Sequence, residues 1–351
     1  YRLNYSAGDS FDFRSFDITN EFGFRRGEYL FLTDSTYNRT PGDDTFVRLM
    51  SSVIYDRRQE LQRIAVGDVL ASSGDLGSIL NLGGVSFSKI FRIDPYFIWY
   101  PVADFSGTAS LPSDLEVYLN GMRIRTEKIS PGEFDLKNIS YFGGVGLVSA
   151  VIRDAFGKME GIYYPFYFTD DLLKRGLHEY SYNAGYRREE FGSKSNEYGE
   201  LAFSAFHKYG ITDLLTIGFR TEGADDRYNL GPEASYRLPW EIGIVSLSLS
   251  GSLDDGRGGG AALASYLYED HRISARVLLK GFSKDYATAG EESGTDKTRY
   301  EANAGLGYGT SEFGNLSLDF AAVEKYQGQD RYTGTLSYSR NLTMDCRVFA
   351  S

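Results

Sequence analysis

The sequence contains a single cysteine, few histidines and no long apolar run, and each shortage removes a class of protein. One cysteine, Cys346, allows no internal disulfide bond. No apolar run approaches the roughly 18 residues of a membrane-spanning helix, and the mean hydropathy is -0.33, so a helical membrane protein is excluded. Basic residues number 37 against 48 acidic ones, which gives a net charge of -11. A nucleic-acid partner, which a basic surface would attract, is therefore not expected.

Motifs for catalysis or cofactor binding are missing as well. The three histidines, His178, His207 and His271, lie in separate strand or turn contexts without a cysteine partner or an H-x-x-x-H spacing, so no metal site is expected. The glycine-rich stretch Gly305–Gly314 is followed by no helical pattern and no Gly-Lys-Ser/Thr element, so no phosphate-binding loop is expected either. We find no nucleophile, histidine and acid set suited to hydrolysis. The sequence predicts neither an enzyme nor a cofactor.

What the sequence does have is tyrosine, glycine and a regular alternation of apolar and polar residues. Aromatic residues make up 15% of the chain, with 27 tyrosines, and there are 40 glycines, a composition that favours an all-β fold. In residues 245–253, valine and leucine side chains occupy one face of a strand and serine side chains the other. The same pattern recurs from Leu214 to Arg340 between clusters of Gly, Asp and Asn. These residues predict a series of antiparallel strands, each with one apolar and one polar face.

Two all-β classes fit this alternation, a transmembrane barrel and a soluble fold. A soluble sandwich favours large branched residues on its buried face, whereas here the polar face carries Arg220, Arg276, Lys280 and Glu301. Tyrosine also recurs near strand ends, as in the aromatic girdles of outer-membrane barrels. The pattern favours a transmembrane antiparallel β-barrel, with those four residues as candidates for facing the lumen. A soluble adhesive or sugar-binding protein is the alternative.

The strand pattern divides the chain into three parts. About six strands precede an inserted unit and about eleven follow it, beginning with "GIYYPFYFT" at residues 161–169, which makes about 17 strands. We assign residues 1–101 and 161–351 to the barrel and residues 102–160 to the insertion. So large a sheet closes or leaves a long edge, and a barrel of about sixteen or more strands encloses a wide aqueous lumen. The insertion is well placed to plug that lumen.

The insertion is predicted to contain a compact hairpin domain. Asn120-Gly121 lies between two alternating runs and indicates a two-residue hairpin turn. Exposed ion pairs of about 0 to 1 kcal/mol each would hold such a lid in a polar lumen without locking it. The alternative is that the charges are only the solvated face of the domain. The candidate gating residues are Glu116, Asn120, Gly121, Arg123, Arg125, Glu133, Asp135, Arg153 and Asp154.

Several stretches between Ile64 and Arg188 resemble one family. They are a V-x-x-N-G hairpin, "PGEFDL" at Pro131–Leu136, "VIRDAFG" at Val151–Gly157 and "LLKRGLHEYSYNAG" at Leu172–Gly185, preceded by "IAVGDVLASSGDLGSILNLGGVSFSK" with a Gly-Asp signature. The chain is similar there to the outer-membrane ushers of the chaperone-usher pilus pathway. Elsewhere it shares only general barrel patterning with them.

The resemblance implies a function without chemistry. Ushers form a pore of about two dozen strands in the outer membrane of Gram-negative bacteria, recruit periplasmic chaperone–subunit complexes and thread the growing pilus outward. The resemblance also implies that the insertion is a small β-sandwich plug domain, which blocks the lumen at rest and moves aside on activation. This chain departs from the family in lacking recognisable periplasmic domains at either end and in showing only about 17 strands, so its barrel is expected to be incomplete. A passive outer-membrane porin or other barrel transporter is the alternative function, but a porin normally folds its constriction from an extracellular loop.

Overall fold

The computed structural model describes residues 2–7, 13–101, 105–109, 111–119, 122–136, 148–154, 159–164, 171–270, 272–290, 297–310, 313–343 and 346–350. No helix in these ranges has the length and apolar character that crossing a membrane requires. The strands are β1 (Arg2–Ala7), β2 (Phe13–Arg26), β3 (Tyr29–Thr40), β4 (Asp43–Arg57), β5 (Gln62–Ser72), β6 (Ile79–Lys89), β7 (Phe105–Ala109), β8 (Ser113–Leu119), β9 (Met122–Ile129), β10 (Gly132–Leu136), β11 (Val148–Asp154), β12 (Met159–Tyr164), β13 (His178–Arg188), β14 (Tyr198–Thr212), β15 (Leu215–Ala224), β16 (Arg227–Arg237), β17 (Ile244–Asp254), β18 (Arg257–Glu269), β19 (Ile273–Phe282), β20 (Thr298–Thr310), β21 (Gly314–Lys325), β22 (Arg331–Thr343) and β23 (Cys346–Ala350). Short 3-10 turns lie at Phe91–Ile93 and Pro239–Glu241.

Seventeen of these strands form one antiparallel sheet, which we call the wall. β1 to β6 pair in chain order, β6 then pairs with β13, and β13 to β23 again pair in chain order. The predicted antiparallel all-β fold is confirmed. Six wall strands precede the insertion and eleven follow it, but the predicted eleven began at residue 161 whereas the first wall strand after the insertion is β13. Every other connection is a turn or loop between neighbouring strands, so the insertion between β6 and β13 is the main interruption of the wall.

The wall is apolar on its outer face and polar on its inner face, the reverse of a soluble protein. On β17, Leu249 is 58% exposed whereas its neighbour Ser250 is 7% exposed. The buried side chains on the inner face include Asp68, Glu222 and Asn229. Leucines exposed to water would cost free energy, and buried polar groups need polar partners. A surrounding layer of hydrocarbon and a polar interior account for both faces.

Exposed tyrosines on the outer face lie at two levels. Tyr228, Tyr300 and Tyr332 lie toward one end of the strands, and Tyr236, Tyr308 and Tyr338 toward the other. Tyr300 and Tyr308 are eight positions apart on β20, which at about 3.4 Å per residue and a tilt of about 40° spans about 20 Å of bilayer. Outer-membrane barrels have an apolar band of about 25 Å between their aromatic girdles, so the two tyrosine belts have a spacing suited to a membrane.

The strands between β6 and β13 form two smaller sheets of their own. β12, β11, β8 and β9 pair in that order, and β7 pairs with β10. Buried Leu115 and Val117 give β8 an apolar face. Because β12 pairs with β11 from Met159 to Tyr164, the prediction of a wall strand beginning at residue 161 is wrong, and residues 165–169 lie outside the described ranges. The domain division at residues 102 and 160 stays a prediction.

The two connections of the insertion meet at one point, which we call the root. Phe91 and Trp99 follow β6 and pack with Leu173 and Leu177, which precede β13. The rings of Phe91 and Trp99 stack with their centroids 5.9 Å apart. The amide of Lys174 donates a 2.7 Å hydrogen bond to the carbonyl oxygen of Trp99. The chain therefore leaves the wall and re-enters it at nearly the same place.

Candidate functional site

The tip half of the β5–β6 hairpin leaves the wall and lies over its inner face. β4 pairs with β5 only as far as Gly67, and β13 pairs with β6 only from Leu82 onward. Residues 68–81, here called the inner hairpin, keep only the pairing between β5 and β6. Gly67 allows the bend, because its φ is +117° and a Cβ there would overlap the carbonyl oxygen of Ser51.

The inner hairpin has an apolar underside. Val69, Ala71 and Leu80 pack in one buried cluster with Ala202 of β14 and Ala224 of β15. Alanine on the wall leaves room for the larger side chains of the hairpin, as close packing requires. Full burial of a valine or leucine side chain contributes about 1.5 to 3 kcal/mol. Apolar contact therefore holds the inner hairpin on an otherwise polar surface.

One carboxylate holds the tip of the inner hairpin. Buried Glu222 of β15 accepts hydrogen bonds from the Ser73 hydroxyl at 2.7 Å and from the amide and hydroxyl of Ser78 at 2.9 and 3.1 Å. Its other oxygen accepts a 3.0 Å bond from the amide of Ala289. Buried polar groups are stable only when they are bonded, and here the bonds of Glu222 join two separate segments to the wall.

The second of these segments, residues 283–290 between β19 and β20, also folds inward, and we call it the inner loop. The Tyr286 hydroxyl donates to the carbonyl oxygen of Leu76 in the hairpin tip, and the Asn229 amide donates to the Tyr286 hydroxyl at 2.7 Å. Gly259 of β18 permits this approach, because a Cβ there would overlap the backbone of Tyr286. The inner hairpin and the inner loop therefore form one hydrogen-bonded layer on the wall.

A buried charge cluster anchors the base of the inner hairpin. Asp68, only 3% exposed, pairs with Arg48 of β4 and lies 3.6 Å from Arg188 of β13. The Tyr198 hydroxyl and the Ser51 amide each donate a 2.7 Å hydrogen bond to its carboxylate. We call these residues the Asp68 cluster. Because Asp68 directly follows the bend, the Gly-Asp signature supplies both the bend and the anchor.

In the four-stranded sheet of the insertion, charged contacts converge on Glu116. The Tyr118 hydroxyl donates a 2.6 Å hydrogen bond to its carboxylate, and Arg123 and Arg153 approach to 3.3 and 3.4 Å. The bond from Tyr118, with the charges of the two arginines, lowers the pKa of Glu116 below its ordinary value. The structure thus brings together three candidate gating residues and adds Tyr118, which the sequence reasoning missed.

The other candidates of the insertion lie elsewhere. Arg125 contacts Glu127 at 2.7 Å, and both side chains are exposed on β9. Glu133 and Asp135 lie on β10, Asp154 ends β11, and Asn120 and Gly121 fall outside the described residues. The gating role of the set as a whole stays a prediction.

The four candidates for the lumen wall make contacts within the wall and the inner hairpin. Lys280 lies 3.8 Å from Glu301 on the neighbouring strand and 3.5 Å from a carbonyl oxygen of the inner hairpin. Arg276 reaches across β20 to pair with Asp319 of β21. Arg220 is 1% exposed and lies beneath the hairpin tip. Pairing of these residues with the insertion stays a prediction.

Sequence reasoning missed the inner hairpin and the inner loop. The available signal was the pair of glycine motifs at residues 67–68 and 83–84, because glycine inside a strand pattern indicates a bend or a close backbone approach. The bonding partners carried no such signal. Glu222 and Ala289 are separated by 67 positions, and Asn229 and Leu76 by 153.

Similar proteins share the sequence pattern and the fold. No family model matches the chain. The outer membrane usher protein SefC of Salmonella enteritidis is 22% identical over 97% of this chain and 44% of the relative. The F1 capsule-anchoring protein of Yersinia pestis is 25% identical over 47% of this chain and 19% of the relative. In a cryo-EM structure of an Escherichia coli P pilus tip assembly intermediate, a chain 14% identical matches with a TM-score of 0.65, over 94% of this chain and 43% of that one.

The chain is similar to outer-membrane ushers over 70% to 97% of its length, which confirms the resemblance seen in its sequence. It spans between 18% and 44% of the length of the curated relatives it matches. The translocation pore of the P pilus usher PapC, 13% identical, matches with a TM-score of 0.58 over 95% of this chain and 72% of that pore. The wall therefore has the antiparallel barrel fold of a solved usher pore.

Proposed function

We propose that this chain forms the pore of an outer-membrane usher, which assembles and secretes pilus subunits delivered by a periplasmic chaperone. Curated relatives named outer membrane ushers support a location in the outer membrane of a Gram-negative bacterium. One solved neighbour is a pilus tip assembly intermediate, PapC-PapD-PapK-PapG, which supports a role in pilus assembly. The proposed partners are chaperone–subunit complexes and outer-membrane lipid.

Two observations together carry the proposal. The wall has its apolar face outside and its polar face inside, and the insertion has sheets of its own and joins the wall at the root. A wide barrel has a continuous water path along its axis unless a domain fills it. The insertion has its own sheets and its own charge cluster at Glu116, and both of its connections reach the wall at the root. These features support a plug that moves as a unit, with the wall remaining paired.

The proposed activity is transport and requires no chemical step. The relatives are ushers, and we infer that the chain is a non-enzymatic pore without a cofactor. What such a pore needs is a closed resting state and a lumen that does not bind its cargo tightly. A lining of serine, asparagine and paired charges, such as Lys280 with Glu301, is compatible with passage of a folded protein.

Planar-bilayer conductance of the protein purified from outer membranes tests the proposal. The test variant lacks residues 102–170, because β12 extends the insertion sheets to Tyr164, and a short Gly-Ser linker joins the root. Since Trp99 and Lys174 are already hydrogen-bonded, the wall should still assemble, which heat-dependent mobility on gels verifies. We expect the intact protein to conduct little and the variant to form a large open pore.

Charge variants provide a graded second measurement. Replacing Arg123 and Arg153 with glutamate should produce a smaller, salt-dependent leak, because partly exposed pairs are weak and screened within about 8 to 10 Å at ordinary ionic strength. The matched control exchanges the charges of Arg125 and Glu127, which conserves the pair away from Glu116. A passive porin predicts that the intact protein already conducts freely. That result, or a deletion that leaves conductance unchanged, would reject the plug.

A further inference from the structure

Two of the three histidines in the chain lie side by side on the outer face of the wall. His178 begins β13 and His207 lies on β14, so the two histidines lie on separate strands as expected, and the register of these strands makes them neighbours. Phe206 and Lys208, the chain neighbours of His207, line cavities on the inner side, and successive strand residues alternate between faces. His207 therefore points outward.

The histidine pair lies near the end of the strands, at the height of an exposed tyrosine. His178 pairs in register with Tyr209, and Tyr180 pairs with His207. Tyr209 is three positions from the end of β14 and is exposed on the outer face. Interfacial tyrosines mark the boundary between hydrocarbon and water. Dissolved ions can therefore reach these two imidazole rings.

The distance between the two rings suits a shared metal ion. Nδ1 of His178 lies 2.8 Å from Nε2 of His207. Two imidazole nitrogens that bind one ion at right angles, each at about 2.0–2.1 Å, are about 2.9 Å apart. The two nitrogens already have the separation of neighbouring ligands on one ion. Only the proton between them has to leave and the rings have to turn toward a common point.

Neighbouring aromatic residues hold both rings in place. Nδ1 of His207 lies 2.5 Å from the Tyr182 hydroxyl, and when it donates its proton there, Nε2 keeps a free lone pair. The ring of His178 lies against Tyr209 with centroids 4.4 Å apart, and the ring of His207 lies 5.5 Å from Tyr180. Partners of this kind fix the tautomer and orientation of metal-binding histidines.

We propose that His178 and His207 form a two-histidine binding site for a divalent transition metal ion on the outer surface of the wall. Imidazole nitrogen favours Cu²⁺, Ni²⁺ and Zn²⁺, with Cu²⁺ bound most tightly. Within the described residues no group of three or more His, Cys, Asp or Glu side chains is placed to hold a metal ion, so water completes the coordination. Tyr182 acts as a positioning residue, because it contacts His207 and not the ion.

Titration of the detergent-solubilised protein with CuCl₂ tests the site, with electron paramagnetic resonance as a second measurement. We expect one Cu²⁺ per chain, with hyperfine splitting from two imidazole nitrogens. His178→Ala and His207→Ala should each weaken binding at least tenfold and remove the two-nitrogen spectrum, and the double variant should be little worse than either. Tyr182→Phe should weaken binding about tenfold and preserve the two-nitrogen spectrum, as loss of an outer partner does.

His271→Ala is the matched control, because it removes the third histidine of the chain and leaves the pair intact. Binding in this variant should equal that of the unmodified protein. If the single variants at the pair bind Cu²⁺ as well as the unmodified protein, or if His271→Ala abolishes binding, the proposal is wrong. Heat-dependent gel mobility must show that every variant is folded. The test does not involve pore activity, so its outcome is independent of the proposed function.

Discussion

The Asp68 cluster gives a quantitative prediction for the variant Asp68→Asn. Asparagine keeps the size of the side chain, and its one carbonyl oxygen can still accept the bond from the Ser51 amide while its NH2 group donates to the Tyr198 hydroxyl, so the change removes the charge and reverses one hydrogen bond. Arg188, whose side chain is fully buried, then lacks its carboxylate partner. Breaking a buried ion pair by removing one partner costs about 3 to 5 kcal/mol, and we expect a loss of about 3 kcal/mol because the amide can still hydrogen-bond to both neutral neighbours.

The same two strands supply a matched control. Asp56 of β4 accepts two bonds from Arg63 of β5 at 2.7 and 2.9 Å, but these side chains are 20% and 34% exposed. Asp56→Asn should therefore cost only about 0 to 1 kcal/mol. Both variants remove one carboxylate charge between β4 and β5, so they differ chiefly in burial.

Urea unfolding of the protein in lipid vesicles, followed by the fluorescence of its two tryptophans, measures both changes. With a slope of about 3 kcal/mol per molar urea, Asp68→Asn should lower the midpoint by about 1 M and Asp56→Asn by about 0.3 M or less. Equal shifts for the two variants would show that burial of Asp68 has no energetic consequence. The account of the hairpin anchor would then be refuted.

Two further predictions concern the bend and the insertion. Gly67→Ala should destabilise the protein by more than about 1 kcal/mol, because alanine is strained at a positive φ and its Cβ would overlap Ser51. Gly251→Ala, at a position with open space around it, should lower the free energy of unfolding much less in the same urea assay. Equal losses in the two variants would show that the bend does not require glycine at position 67. Because the pKa of Glu116 is lowered on folding, its stabilising effect is present above the unfolded pKa of about 4.3 and disappears as pH falls through the lower folded pKa. Deuterium exchange of the β8 and β11 amides, corrected for intrinsic rates, should therefore show protection that declines in acid. In Glu116→Gln this protection should depend less on pH. Identical pH profiles for the two proteins would show that Glu116 does not stabilise the sheet.

The wall was predictable because its signal is local. A period of two in residues 245–253 fixes which side chains share a face, and the turn residues between such runs fix the order of the strands. The inner layer was not predictable in the same way. Glu222 and Asn229 look like ordinary polar positions of a strand, and only the fold brings them to residues of the inner hairpin and the inner loop.

One error and one missed contact have the same physical origin, because periodicity does not state which strand a segment pairs with. Residues 161–164 contain the branched and aromatic residues typical of a strand, yet they pair with β11. His178 and His207 belong to different runs of sequence, and the register of β13 on β14 makes them neighbours. A single chain carries no information on register where the turn is long, as in the loop of residues 189–197.

The root imposes a mechanical condition on any motion of the insertion. Two chain segments that enter at one point and are hydrogen-bonded there act as a single pivot, so the small sheets can swing or rotate without pulling on the strands at either side. Local opening at the root and unfolding of the wall would then be separate events with separate free energies. An insertion mounted in this way can also be exchanged for a different one, as long as the replacement returns its ends to Trp99 and Lys174.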